Sequence, residues 1–159
     1  MKKMLMIALL VVASLLLTAC GQTDKSAAPA ENAKTAAAEL SFSVNDTNTV
    51  LVDQDGVKVT YVGMEKNDLN YTLKLAYENT TDKSYDVQLR NSKVDGKEEL
   101  TVCSDTLDAG STSEGAIYLP VSQLEKAGIS EPAMLEADLV VLYDIMEEVA
   151  KVPFKVALK

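Results

Sequence analysis

From Leu40 onward the apolar residues of this chain recur at every second position, and that period restricts the fold more than any other feature. Tyr71, Leu73, Leu75 and Tyr77 alternate with Thr72, Lys74, Ala76 and Glu78. Tyr85, Val87 and Leu89 alternate with Asp86, Gln88 and Arg90, and Val152, Phe154, Val156 and Leu158 alternate with Pro153, Lys155 and Ala157. Successive side chains of a strand point to opposite faces, so each segment reads as a strand with one face buried. Leu73, Leu75, Val87, Phe154 and Val156 are expected inward, and Lys74, Gln88 and Lys155 outward. The internal Pro153 predicts an edge strand or a strand start, because proline cannot donate to a ladder.

Weaker strands are predicted at Leu40–Val44, Val50–Val52, Val57–Met64, Leu100–Cys103, Ala116–Leu119 and Leu135–Tyr143. Turn signals separate the strands: Asp55-Gly56, Asn67-Asp68, Thr80-Thr81-Asp82-Lys83, Asp95-Gly96 and Ala109-Gly110. Many short strands with polar turns argue for an all-β, antiparallel β-sandwich. One short crossover helix is expected after Pro120, which suits a first turn. Val121 and Leu124 share its face, and Gly128 takes a left-handed terminating conformation.

The N-terminus carries an address. Met1-Lys2-Lys3 is followed by a 14-residue apolar run, Met4 to Leu17, broken only by Ser14. That is too short to span a bilayer, which takes ~20 residues, and has the layout of a secretory signal peptide. Leu17-Thr18-Ala19-Cys20 matches a bacterial lipobox, whose cysteine is lipidated and becomes the first mature residue. Residues 21–39, GQTDKSAAPAENAKTAAAE, contain no aromatic or branched apolar side chain. Such a segment cannot offset the entropy of ordering and reads as a disordered tether with ends roughly 24 Å apart. The expected organisation is a lipoprotein signal peptide at 1–19, the lipidated cysteine and linker at 20–39, and a β-sandwich domain at 40–159. The expected location is the extracytoplasmic face of the cell membrane.

Loss of Lys2 and Lys3 with the signal leaves 13 basic against 24 acidic residues, a net charge of −11. That charge repels phosphate backbones and argues against nucleic-acid binding. It also repels anionic headgroups, so membrane attachment falls to the acyl chains, of which two anchor stably. With Cys20 modified, Cys103 is left without an intramolecular partner and is expected as a small buried side chain. The fold must stand on its apolar core.

Chemistry is scarce. There is no histidine, which removes Ser-His-Asp and Cys-His catalysis and the commonest metal ligand. The seven glycines are scattered, so no phosphate-cradling loop exists. Asp53-Gln54-Asp55-Gly56 opens like a calcium loop, but its twelfth position is Met64, and a hairpin turn is expected instead. No catalytic residue, metal site or cofactor is expected. Carbohydrate binding by stacked aromatics finds little support: the chain has no tryptophan, and Tyr118 is the tyrosine whose phase points outward. The place to look for a site is the acidic loop Asp144, Ile145, Met146, Glu147 and Glu148. There an apolar pair sits among carboxylates, and Glu136 and Asp138 are expected to extend the negative patch at one end of the sandwich. An apolar tip rimmed by charge suggests a protein contact.

The run VLVDQDGVKVTYVG, then YTLKLAYENTTDKSYDVQL, the Asp95-Gly96 turn, the PVSQLEKAGI helix and LVVLYD resemble a family of uncharacterised lipoproteins, mainly of clostridial-type Gram-positive bacteria. The likeness covers roughly Val50 to Leu158. It implies a single immunoglobulin-like domain and transfers no catalytic residue. These readings together suggest a cell-surface lipoprotein presenting a non-catalytic binding or structural module to a protein partner of unknown identity. The alternative is an accessory subunit or solute-binding component of an envelope complex. Replacing Cys20 with Ala should abolish metabolic labelling with a fatty acid and leave the protein unprocessed or released. Unchanged cleavage and membrane retention in the variant overturn the lipobox reading.

Overall fold

The computed structural model describes residues 38–98 and 100–159. The signal peptide, Cys20 and nearly all of the expected tether lie outside the described residues. Ten strands form two sheets: β1 Leu40–Ser43, β2 Thr49–Gln54, β3 Val57–Lys66, β4 Asn70–Asn79, β5 Tyr85–Val94, β6 Lys97–Glu98, β7 Ser104–Leu107, β8 Thr112–Pro120, β9 Met134–Tyr143 and β10 Glu147–Ala157. Among the described residues one helix, α1 at Val121–Lys126, joins β8 to β9. The first sheet has the order β1-β10-β9-β5, with β6 and β7 both pairing β5; the second has the order β2-β3-β4-β8. The fold is a β-sandwich with one short helix.

The inward phase is as the alternation predicts. Leu73, Leu75, Val87, Phe154 and Val156 are all buried, while Lys74 is exposed and Gln88 and Lys155 are half-exposed. Register carries the apolar rows across each sheet: Val87 opposes Val141, which opposes Ala150, and Met64 opposes Leu73, which opposes Ile117. Fully burying one such aliphatic side chain contributes roughly 1.5–3 kcal/mol. Asp55-Gly56 and Asp95-Gly96 close two hairpins with both residues at positive φ, as a two-residue primed turn requires. Helix α1 buries Leu124 and ends where Gly128, at φ +80°, lets its amide and that of Ile129 bond the carbonyls of Glu125 and Leu124. Pro120 is the cap residue before that helix rather than part of its first turn.

Four expectations are corrected. The sandwich is not wholly antiparallel: β1 runs parallel to β10, Leu40 opposite Phe154 and Phe42 opposite Val156; the two are the first and last strands and share no tight turn that would force them antiparallel. Leu100–Cys103 makes a single bridge, Val102 to Tyr118, and the strand follows it at Ser104–Leu107. The last strand begins at Glu147, five residues early, because a bulge between Glu148 and Ala150 breaks the alternation there. Pro153 lies within a strand flanked on both sides; it sits one residue before β1 joins β10, where that side of the strand is still an edge.

Three buried polar groups tie the sheets together. The Tyr61 hydroxyl donates to the Val44 carbonyl at 2.7 Å, where the chain passes from β1 to β2, and its ring packs 5.2 Å from that of Phe42. Asn79, the one polar side chain fully buried among the described residues, donates to the carbonyls of Lys83 and Asp108 and accepts from the amide and hydroxyl of Thr81. The Tyr77 hydroxyl of β4 donates to Asp105 Oδ2 of β7 at 2.7 Å, and the same oxygen accepts the Ala116 amide at 3.3 Å. A Cβ at Gly115 collides with both the Tyr77 ring and the Asp105 carboxylate, so glycine is what lets this bond cross the sandwich. Gly115→Ala should therefore lower stability by about 1–3 kcal/mol, the usual cost of overpacking. An unchanged melting temperature argues against the tie.

Candidate functional site

The β9–β10 hairpin closes through Asp144, Ile145 and Met146, with Tyr143 paired to Glu147. Only these three residues form the loop; Glu147 and Glu148 are the first residues of β10. Asp144 and Ile145 stand at φ +50° and +63°, and the Met146 amide donates to the Asp144 carbonyl at 2.7 Å. Aspartate tolerates the left-handed region, but a β-branched residue there is strained, by roughly 1–2 kcal/mol. The strained turn holds the apolar pair in solvent: Ile145 is 67% exposed and Met146 90%.

Neighbouring turns frame this tip. The Lys83 ammonium of the β4–β5 turn lies 4.4 Å from the centroid of the Tyr143 ring, and Tyr85 packs against the same ring at 6.1 Å. These contacts fix Tyr143, the last residue before the loop. Beside it a shallow concavity of about 390 Å³ is lined by Ser84, Asp86, Thr106, Tyr143 and Ile145. Asp53 and Gln54 of the β2–β3 hairpin come to the same end, where the Gln54 amide donates to the Val149 carbonyl of β10. The expected calcium-like segment is thus a hairpin turn, with Gln54 paired to Val57.

Glu136 and Asp138 do not join the tip. They lie mid-strand in β9, opposite Lys155 and Pro153, and Asp138 is five residues (about 17 Å) from Tyr143. Lys151 meets the Asp138 carboxylate at 2.8 Å and Asn91 donates to it at 2.6 Å. Partial burial works to raise the Asp138 pKa, but these two bonds outweigh it and hold the carboxyl below the usual range. The sequence pairs these carboxylates with the loop because they are close in number; strand geometry sends them along the sheet instead.

Cys103 is half-buried against the core, less enclosed than expected. Burial first, and the nearby Asp105 carboxylate second, push its thiol up to about 12, against a partial opposing effect of the Tyr77 hydroxyl. It is protonated at neutral pH and a poor nucleophile. Among the described residues no three Cys, Asp or Glu side chains group to hold a metal ion. What this end offers is a strained apolar tip beside carboxylates.

No protein-family model matches the chain, and no curated protein matches it. Among solved structures, a FixG-related protein from Vibrio parahaemolyticus superposes at a TM-score of 0.40 with 13% sequence identity, covering 66% of this chain and 98% of that one.

The strain at the tip is open to direct measurement. Ile145→Gly should raise stability by about 1 kcal/mol, seen as a higher melting temperature, because glycine occupies the left-handed region without a Cβ penalty. A lower melting temperature means that Ile145 contributes packing that its exposure conceals.

Proposed function

We propose that this chain is an extracytoplasmic lipoprotein, anchored through Cys20, whose immunoglobulin-like sandwich is a non-catalytic module that docks a protein partner through the β9–β10 tip. The observation that carries the reading is the cost of the tip: a strained Ile145 keeps two large apolar side chains in water, where they add nothing to the core. Strain at an exposed position is commonly kept for function. Apolar contact at Ile145 and Met146 supplies affinity, while Asp144, Glu147 and Glu148 favour a basic partner surface and speed encounter. The absence of histidine and the protonated state of Cys103 support a role without catalysis. The lipobox, the positive start and the short apolar run support the anchor. No helix among the described residues is long and apolar enough to cross a membrane.

In-cell crosslinking with mass spectrometry, compared between the wild type and Ile145→Asp, tests the reading. Aspartate accepts a left-handed backbone, so the variant should keep or raise its melting temperature while its crosslinks to the partner disappear. Glu147→Gln with Glu148→Gln should mainly slow association, and the loss should shrink as salt rises. A stoichiometric membrane complex among the crosslinks indicates a subunit of an envelope assembly. A collapsed melting temperature in Ile145→Asp makes Ile145 a core residue, and an unchanged crosslink pattern removes the tip from binding.

A further inference from the structure

We propose that the outer face of β3, β4 and β8 binds a neutral glycan chain, at a site separate from the hairpin tip. Register lays out this face as four rows: Lys58, Glu78 and Thr112; Thr60, Ala76 and Glu114; Gly63, Lys74 and Ala116; Glu65, Thr72 and Tyr118. Six residues along β4 separate the first row from the last, about 20 Å. A solvated sheet face is usually covered by long side chains, but here most of the floor is short, Thr60, Ala76, Ala116, Gly63 and Thr72, with Lys74 the one long side chain on the central strand between Ala76 and Thr72. The result is a trough in two adjoining parts, of about 530 and 390 Å³, that share Glu114.

The walls supply the chemistry. Lys58 stands directly opposite Glu78, yet the two form no ion pair, and Glu114 has no side-chain partner among the described residues. Lys74 and Glu65 pair across the other half. At the far end Tyr118 presents its ring, 43% exposed. Tyr61 and Tyr77 spend their hydroxyls on internal bonds, whereas the Tyr118 hydroxyl makes none among the described residues. Its backbone is held from the open edge of β8: its carbonyl accepts from the Val102 amide and its amide donates to the Val102 carbonyl, each at 2.9 Å. The strand that carries the ring is therefore fixed in place, so the ring's position along the face is set before a ligand arrives.

The mixture of groups selects the ligand. Three carboxylates beside two amines repel a phosphate polymer or nucleic acid. The apolar area, confined to Tyr118, Val62, Val102 and Ala116, is too small for the apolar centre of a protein interface. An uncharged chain dense in hydroxyls fits: its O–H groups donate to Glu78 and Glu114 and accept from Lys58 and the threonines. The C–H face of one ring lies on Tyr118, and the short floor admits close approach.

The test uses the full mature chain, isotope-labelled and titrated with four neutral tetrasaccharides: chitotetraose, cellotetraose, maltotetraose and mannotetraose. Titration to about 10 mM captures a Kd near 1 mM. At least one should shift the amides of Thr60, Thr72, Ala76, Ala116 and Tyr118 saturably. Tyr118→Ala should weaken that binding by about tenfold, Glu114→Gln by about threefold, and Tyr118→Phe should leave it intact, which separates stacking from misfolding. The proposal is overturned if none of the four shifts these amides, if the shifts gather at Asp144–Met146, or if Tyr118→Ala binds as well as the wild type. Binding of a polyphosphate in place of all four glycans overturns it equally.

Discussion

The buried amide of Asn79 is the interaction on which the shaped end of this molecule depends. A lone polar side chain inside an apolar core costs free energy unless its hydrogen-bonding groups are satisfied. Asn79 satisfies its own by gathering two connections: the β4–β5 turn through Thr81 and Lys83, and the start of the β7–β8 connection through Asp108. Its backbone amide adds a bond to the Ser111 carbonyl in the same connection. Both connections carry the chain from one sheet to the other, so one side chain sets where two of the crossings lie. Lys83 is thereby placed over the Tyr143 ring, and Tyr143 leads directly into the strained tip. An unpaired Asn79 would be more damaging than an apolar residue, because the penalty of a half-satisfied amide falls at the point where the sheets are joined.

Without a disulfide between the sheets, the sandwich is closed by its apolar core and by polar ties that each need room. Tyr61 reaches the β1–β2 crossing, and Tyr77 reaches Asp105 over a position that only glycine leaves vacant. The second tie also protects an edge. β8 is the outer strand of its sheet, and its open side carries unpaired amides that invite pairing with another chain. Val102 bonds both backbone groups of Tyr118 there, and the Asp105 carboxylate accepts the Ala116 amide. The groups that lock the two sheets together thus also cap the exposed edge, at the residue that presents the Tyr118 ring.

The parts of the fold legible in the sequence are those where one rule acts alone. In Tyr71–Tyr77 each odd residue meets the core and each even one faces outward, so period two reads out directly. Asp55-Gly56 and Asp95-Gly96 are legible because a primed turn demands left-handed residues. Legibility fails where two rules compete. Glu147 to Lys151 is a strand whose alternation a bulge shifts by one residue, so its charged half reads as loop. Ser104–Leu107 is short and polar, and its pairing to Tyr85–Gln88 supplies what its composition lacks. That β1 runs parallel to β10 depends on a pairing between the first and last strands, a fact held in no local pattern. At the site, Ile145 and Met146 stand out as an apolar pair among acids. The left-handed backbone that exposes them is hidden, because nothing in an isoleucine announces a positive φ.

The two outer faces are built for different ends, and the difference follows from side-chain length. On β9 the outward positions Val140 and Leu142 are apolar yet buried, in a row with Glu136 and Asp138. Long neighbours across the register, Gln88 and Lys151 beside Val140, cover apolar floor with their stems while keeping polar ends in water. Lys151 and Asn91 then both donate to the Asp138 carboxylate, which pairs the charges in the middle of that face. On β3, β4 and β8 the central positions Thr60, Ala76 and Ala116 are too short to cover anything, Lys74 turns to Glu65, and Lys58, Glu78 and Glu114 are left without an ion pair among the described residues. A face with a short floor and unspent donors and acceptors gains more from an added ligand than one whose charges are already paired. The same arithmetic of hydrogen bonds that closes one side of this sandwich therefore leaves the other side open.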